Sequence, residues 1–245
     1  MSAVAQARGT AVVVGVGPGL GMSMARRFGR EGYRVALISR TGARHAGYVA
    51  ELAGEGIEAS AHAADVRDRD RLLAVLDAVS ERHGGVDLVY YGPGAADAEP
   101  KPGPIEAVDA GSVRKAMEWV YPAVEVAGRV LPGMIERGAG GLLFAGGLSA
   151  VMPMPPLGAL AVSSAALRNY AVTLNAALAD TGVYAGTLII GGLIERGDIH
   201  ALVMSQPDRF GDVGARSLDP DEIAGVAWDM FVKRDRAEET FSAFG

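Results

Sequence analysis

The stretch Ala11-Val-Val-Val-Gly15-Val-Gly-Pro-Gly-Leu-Gly21, running on into Met22-Ser-Met-Ala-Arg-Arg-Phe-Gly-Arg30, decides the fold. Continuous apolar residues with a β-branched run read as a strand covered on both faces. Leu20–Arg30 then reads as a helix. The glycines between them permit a tight turn and leave room for a ligand backbone to approach. The helix start adds unpaired N–H groups and the positive end of its dipole, which together suit a phosphate. Gly15, Gly19 and Gly21 follow G-x-x-x-G-x-G. The spacing G-x-G-x-x-G fails because position 20 is Leu, and no Lys-Ser/Thr follows to make a Walker loop. The competing reading is a tight strand–helix turn that binds nothing.

Working outward, strands are expected at Ala11–Val14, Arg34–Ile38, Glu58–His62, Val86–Tyr90, Leu142–Ala145 and Tyr184–Ile190. Helices are expected at Leu20–Arg30, Arg44–Ala53, Asp68–Arg82, Ser112–Glu136 and Leu157–Asp180, with a last one from about Asp221 to Lys233 capped by Asp219. Strands alternating with helices mean βαβ units and a parallel sheet, here six to seven strands with helices on both faces, in one α/β domain over 1–245. Asp97–Pro104 reads as a surface loop. Residues 138–167 carry no charge, but Gly146, Gly147, Pro153, Pro155 and Pro156 break any membrane-length helix.

Composition narrows the chemistry. The chain has 245 residues, a formal charge of −6 and no Cys. The acidic balance without a basic stripe argues against nucleic acid or an anionic membrane as partner. Missing Cys excludes disulfides, thiol nucleophiles and thiolate metal sites. His45, His62, His83 and His200 have no metal spacing, so no metal is expected. The first residues show no apolar signal region, so a cytoplasmic location is expected by default.

The second strand ends Ile38-Ser39-Arg40. An acid there would bond both ribose hydroxyls of NAD; a small Ser followed by a guanidinium suits a 2′-phosphate instead. NADP(H) is therefore the expected cofactor. The expected ligands are Gly15, Gly17, Gly19, Leu20 and Gly21 at the phosphates, Ser39 and Arg40 at the 2′-phosphate, and Asp65 and Val66 at the adenine edge. Gly92 and Gly94, after the fourth strand, complete the set.

The loop Gly15-xxx-Gly19-Leu-Gly21, Asp65-Val66 and the segment Leu131-Pro-Gly-Met134 with its following Gly-rich turn resemble the short-chain dehydrogenase/reductase family over nearly the whole chain. The resemblance implies a doubly wound Rossmann-type sheet and a homodimer or homotetramer. It also implies catalysis by a Tyr, a Lys four residues later and a Ser about thirteen residues before the Tyr. Aligned by its flanks, Leu160-Ala-Val-Ser-Ser164-Ala-Ala puts Leu160 at the Tyr, Ser164 at the Lys and Gly147 at the Ser. The family's Asn-Asn-Ala-Gly reads Tyr91-Gly92-Pro93-Gly94, its helix Asn falls near Trp119, its Pro-Gly reads Ile190-Gly191, and Glu195 replaces a Thr. The nucleotide half survives while the proton-transfer half is rewritten. Tyr121, Ser149, Ser164 and Tyr91 are the candidates to fill the catalytic gap, with Ser163 nearby. Met152–Leu157 and Leu160 would form an apolar wall, so a small apolar metabolite is the expected substrate. Residues 194–212, with Glu195, His200 and Gly211, sit where the family keeps a mobile lid. The readings left open are an atypical NADP(H)-dependent oxidoreductase, a non-redox cyclase, isomerase or dehydratase, and a catalytically silent binding partner.

Overall fold

The apolar runs pair into one sheet. In the computed structural model, which describes residues 7–94, 99–206, 208 and 216–244, β1 (Gly9–Val14) lies between β2 (Tyr33–Ser39) and β4 (Leu88–Tyr91). Adding β3 (Ala59–Ala63), β5 (Gly140–Gly147), β6 (Val183–Gly191) and β9 (Glu238–Ser242) gives the order β3-β2-β1-β4-β5-β6-β9. Every pairing in it is parallel. This is a Rossmann-like α/β domain. The order reverses beside β1, so the crevice at the carboxyl ends of β1 and β4 is the topological switch point where ligands bind in open parallel sheets.

The helices are α1 (Leu20–Arg30), α2 (His45–Gly54), α3 (Arg69–His83), α4 (Ala110–Met117), α5 (Tyr121–Arg137), α6 (Ala159–Ala177), α7 (Asp198–Met204) and α8 (Pro220–Lys233). β1 alternates between the two sheet faces. Val12 and Val14 join a core with Leu72 and Leu76 of α3, Val126 of α5 and Leu167 of α6. Ala11 and Val13 join a second core with Met24 and Phe28 of α1 and Trp228 and Phe231 of α8. Burial of each large apolar side chain contributes roughly 1.5–3 kcal/mol. Gly141 leaves the hollow for Phe231: a Cβ there would stand within contact distance of its ring.

Three differences from the sequence reading have physical causes. The single helix expected over Ser112–Glu136 is two. Pro122 has no N–H to continue a ladder and crowds the preceding turn, so α4 stops at Met117 and α5 restarts with the proline near its first position. The seventh strand, β9, carries no strand signal in its sequence because Glu238 and Glu239 are poor strand formers. Charge is tolerated at this sheet edge, where Arg168 Nε and Nη2 donate to Glu238 at 2.7 and 2.8 Å. The short pair β7 (Leu193–Ile194) and β8 (Ser217–Leu218), and α7 after it, gave no sequence signal either. The Asp219 cap is as expected, its carboxylate accepting from the Asp221 N–H at 2.8 Å. Part of the surface loop expected at Asp97–Pro104 (residues 97 and 98) and part of the 194–212 segment (residues 207 and 209–212, Gly211 included) lie outside the described residues.

Candidate functional site: a nucleotide groove continuous with an apolar cleft

The glycine turn is built from both strands that flank it. The amides of Gly15 and Val16 both donate to Ile38 O, and Gly92 N donates to Val14 O. Gly15 has φ +94°, and a Cβ on it would lie 2.6 Å from the Pro93 backbone. Only glycine fits where the β1 and β4 exits touch. Gly21 has the same duty at the first turn of α1, where a Cβ would meet Val16 Cα at 2.7 Å. Gly17 differs, because a Cβ on it meets nothing within 4 Å. Its open side faces the groove. Gly19 is the N-cap of α1 and offers no side-chain cap. A Cβ on Gly19 would lie 2.9 Å from Ile194 Cγ2, so residues 194–197 rest against the loop.

Two cavities open from this loop. The first, of about 430 Å³, is lined by Gly15, Gly17, Ser39, Arg40, Arg44, Asp65, Val66 and Gly94. It gathers most of the residues read from the sequence as nucleotide ligands. Arg44 is an addition: as the N-cap residue of α2 it carries no motif, and only the fold shows that it lines this cavity with Arg40. Ser39 Oγ contacts His45 Nε2 at 2.7 Å, and burial holds the His45 imidazole below its ordinary value. Asp65 is paired with Arg67, whose N–H and Nε donate to one carboxylate oxygen and whose Nη2 donates to the other at 2.7 Å. That pairing holds its carboxyl below the usual range. Arg67 in turn lies 5.5 Å from the Trp119 ring centre.

The second cavity, of about 510 Å³, shares Gly15, Gly17, Pro93, Gly94, Trp119 and Asp198 with the first. Gly19, Leu20, Gly21 and Gly92 line it too, so every residue expected to hold the cofactor borders one cavity or the other. Ala145, Leu157, Leu160, Leu167 and Ile190, which do not border the first cavity, give the second apolar walls. Of the Met152–Leu157 loop, only Leu157 reaches these walls; Met152 is exposed. Ser149 and Ser164 line the cleft close to Gly147. A Cβ at 147 would lie 3.3 Å from Ser164 Oγ and 3.6 Å from Ser149 Oγ. The three positions aligned with the family's Ser, Tyr and Lys, namely Gly147, Leu160 and Ser164, therefore border one space.

Ser163 and Tyr91 border the cleft as well but are buried and hydrogen-bonded, whereas Tyr121 and Glu195 lie outside it. Ser163 Oγ is buried and donates to Leu160 O at 3.1 Å. Tyr91 turns into the core beside Phe144 and donates to Trp119 O at 2.8 Å. Burial raises its phenol, and that of Tyr90, far above the ordinary value. Tyr121 is 54% exposed at the start of α5 and is not among the cleft-lining residues. Glu195 accepts from Ser217 Oγ at 2.7 Å, tying β7 to β8. Among the described residues Asp198 is the one ionised side chain lining the larger cavity, and no group of three potential metal ligands comes together. No helix of the described residues is long and apolar enough to cross a membrane.

The same fold recurs in known proteins. The family model for short chain dehydrogenase matches residues 9–196. A short chain dehydrogenase of Pseudocercospora fijiensis is 30% identical over 184 residues, 75% of this chain and 59% of that protein. Dehydrogenase/reductase SDR family member 4 of Bos taurus is 28% identical over 225 residues, 88% of this chain and 78% of that one. Among solved structures, L-sorbose reductase from Gluconobacter frateurii, complexed with NADPH and L-sorbose, superposes with a TM-score of 0.81 at 22% identity, covering 97% of this chain and 96% of that one.

Proposed function

This chain belongs to the short-chain dehydrogenase family, and we propose that it binds NADP(H) and acts as an atypical oxidoreductase on a small apolar carbonyl or alcohol. The observation that carries the cofactor is the convergence of Gly17, Ser39, Arg40, Arg44 and Asp65 on one cavity at the switch point. Crowding keeps Gly15 and Gly21 bare, and the open side of Gly17 leaves room for a pyrophosphate. Arg40 supplies charge-assisted donors for a 2′-phosphate. The NADPH held by the sorbose reductase supports the same choice.

When bound, NADP(H) supplies or accepts a hydride. The chain's own part is to place the reacting carbon and handle the oxygen. Ser149 and Ser164 donate hydrogen bonds to a carbonyl oxygen seated beside Gly147. Leu157, Leu160 and Leu167 pack the apolar remainder and exclude bulk water. Apart from Asp198, which is paired with Arg44, no carboxylate lines the cleft, so the proton reaches the oxygen from water through these hydroxyls and turnover is slow. Exposed Tyr121 and Val124 on α5 and Val162 on α6 offer an apolar face for pairing with a second copy, a state that light scattering would report. The test of the redox role is NADPH absorbance over a panel of apolar ketones and aldehydes. Substrate-dependent oxidation is expected, and its absence with every compound would contradict it.

One observation favours a second reading. Besides Asp198 the larger cavity is lined by neutral groups, with both tyrosine phenols suppressed by burial. A non-redox reaction that depends on orientation in an apolar pocket suits such a lining. Product formation without NADPH would select it.

A further inference from the structure

The mouth of the nucleotide groove is bridged by an ion pair between residues 154 positions apart: Arg44 Nη1 donates to Asp198 Oδ2 at 2.8 Å. Both side chains are more than half exposed, and the pair raises the Arg44 pKa further. Arg44 lines the cavity with Ser39 and Arg40, whereas Asp198 lines both cavities, at their junction near Gly15 and Gly17. A carboxylate thus stands beside the space where phosphates are expected. Its position is fixed from behind. Arg196 carries a left-handed backbone, φ +64°, and its Nη2 donates to Asp221 at 2.7 Å and Asp219 at 3.3 Å. Only Gly197 separates that anchor from Asp198.

We infer that Arg44 is a second cation for the ribose 2′-phosphate, and that Asp198 is a resident carboxylate from which the phosphate takes it. This rests on the nucleotide reading above. A phosphate monoester carries about two negative charges at neutral pH, against one for a carboxylate. One guanidinium leaves half of that charge unmatched, whereas Arg40 and Arg44 together match it. The Arg44–Asp198 pair is exposed, and exposed pairs are weak, so the exchange favours the phosphate. A dinucleotide without the 2′-phosphate gains nothing from Arg44 and leaves the pair in place.

The experiment is calorimetric titration of the full chain with NADPH and with NADH, in four forms: wild type, Arg44→Ala, Asp198→Asn and the double variant. The readout is the ratio of the two affinities. Arg44→Ala is expected to lower the NADPH preference about tenfold or more, the worth of a charge-assisted hydrogen bond. Asp198→Asn is expected to raise it about two- to fivefold, the worth of an exposed ion pair. In the Arg44→Ala background, Asp198→Asn is expected to change nothing further. An unchanged ratio in Arg44→Ala would overturn the inference, and so would an Asp198→Asn effect that persists without Arg44. Failure of wild type to bind either nucleotide would end the nucleotide reading itself, a result distinct from both.

Discussion

Gly17→Ala separates a binding loop from a mere turn. Gly17 borders both cavities, and a methyl on it meets no atom within 4 Å. Its φ is not in the left-handed region, so alanine meets no left-handed strain there. Loss of glycine's unfolded-state entropy then stabilises the fold by about 0.4–1 kcal/mol, a rise in Tm of about 1–4 °C for a chain this size. The methyl projects into the space expected for the pyrophosphate. An overpacking cost of roughly 1–3 kcal/mol weakens NADPH binding about tenfold to a hundredfold. Gly15→Ala is the counterpart. Its Cβ would stand 2.6 Å from the Pro93 backbone at φ +94°. The conformational cost of about 1–2 kcal/mol adds to a similar overpacking cost, lowering Tm by about 5–20 °C. Thermal scans and NADPH titrations of the two variants make the assay. Gly17→Ala with undiminished NADPH affinity, or with a loss of Tm like that of Gly15→Ala, would refute the assignment of this loop to a ligand.

Arg40→Ala is expected to cut NADPH affinity about tenfold or more while sparing NADH, because it removes a charge-assisted donor; paired titrations check it. The triple change Gly147→Ser, Leu160→Tyr, Ser164→Lys restores a general acid in a cleft with room for it, and NADPH-dependent reduction of a simple ketone should rise about 100-fold or more, as read by steady-state absorbance. Burial holds His45, His62 and His83 below the ordinary imidazole value of 6.5. Below that value the unfolded chain binds more protons than the folded one. Stability is therefore full above about pH 6.5 and falls as pH drops from there toward the depressed folded values. Urea midpoints at about pH 7.5 and about 5.5 measure it, and His45→Gln should narrow the gap.

What the sequence disclosed depended on how local its cause was. The helix at Leu20–Arg30 was legible to the residue, because the glycine turn leads directly into it and apolar spacing marks its length. The nucleotide set was legible because each member sits at the end of a strand, in the turn after it or at the start of the helix that follows. Arg44 and Asp198 were not, since no motif marks either and only the tertiary fold joins residues so far apart. Tyr91 lies at a strand end, as read. Its side chain takes the core face, with Phe144 and Trp119 as partners, and the pleat direction that decides this is set by the neighbouring strands. β9 was hidden because Glu238 and Glu239 answer to edge partners on α6 and in the preceding turn, Arg168 and Arg236, and not to strand propensity.

The proposed function requires that a groove of glycine amides and arginines grip a phosphorylated dinucleotide. Titrating the wild-type chain with NADPH by calorimetry tests it directly. One-to-one binding, tighter than that of NADH, is the result expected. No heat of association at millimolar NADPH would contradict it.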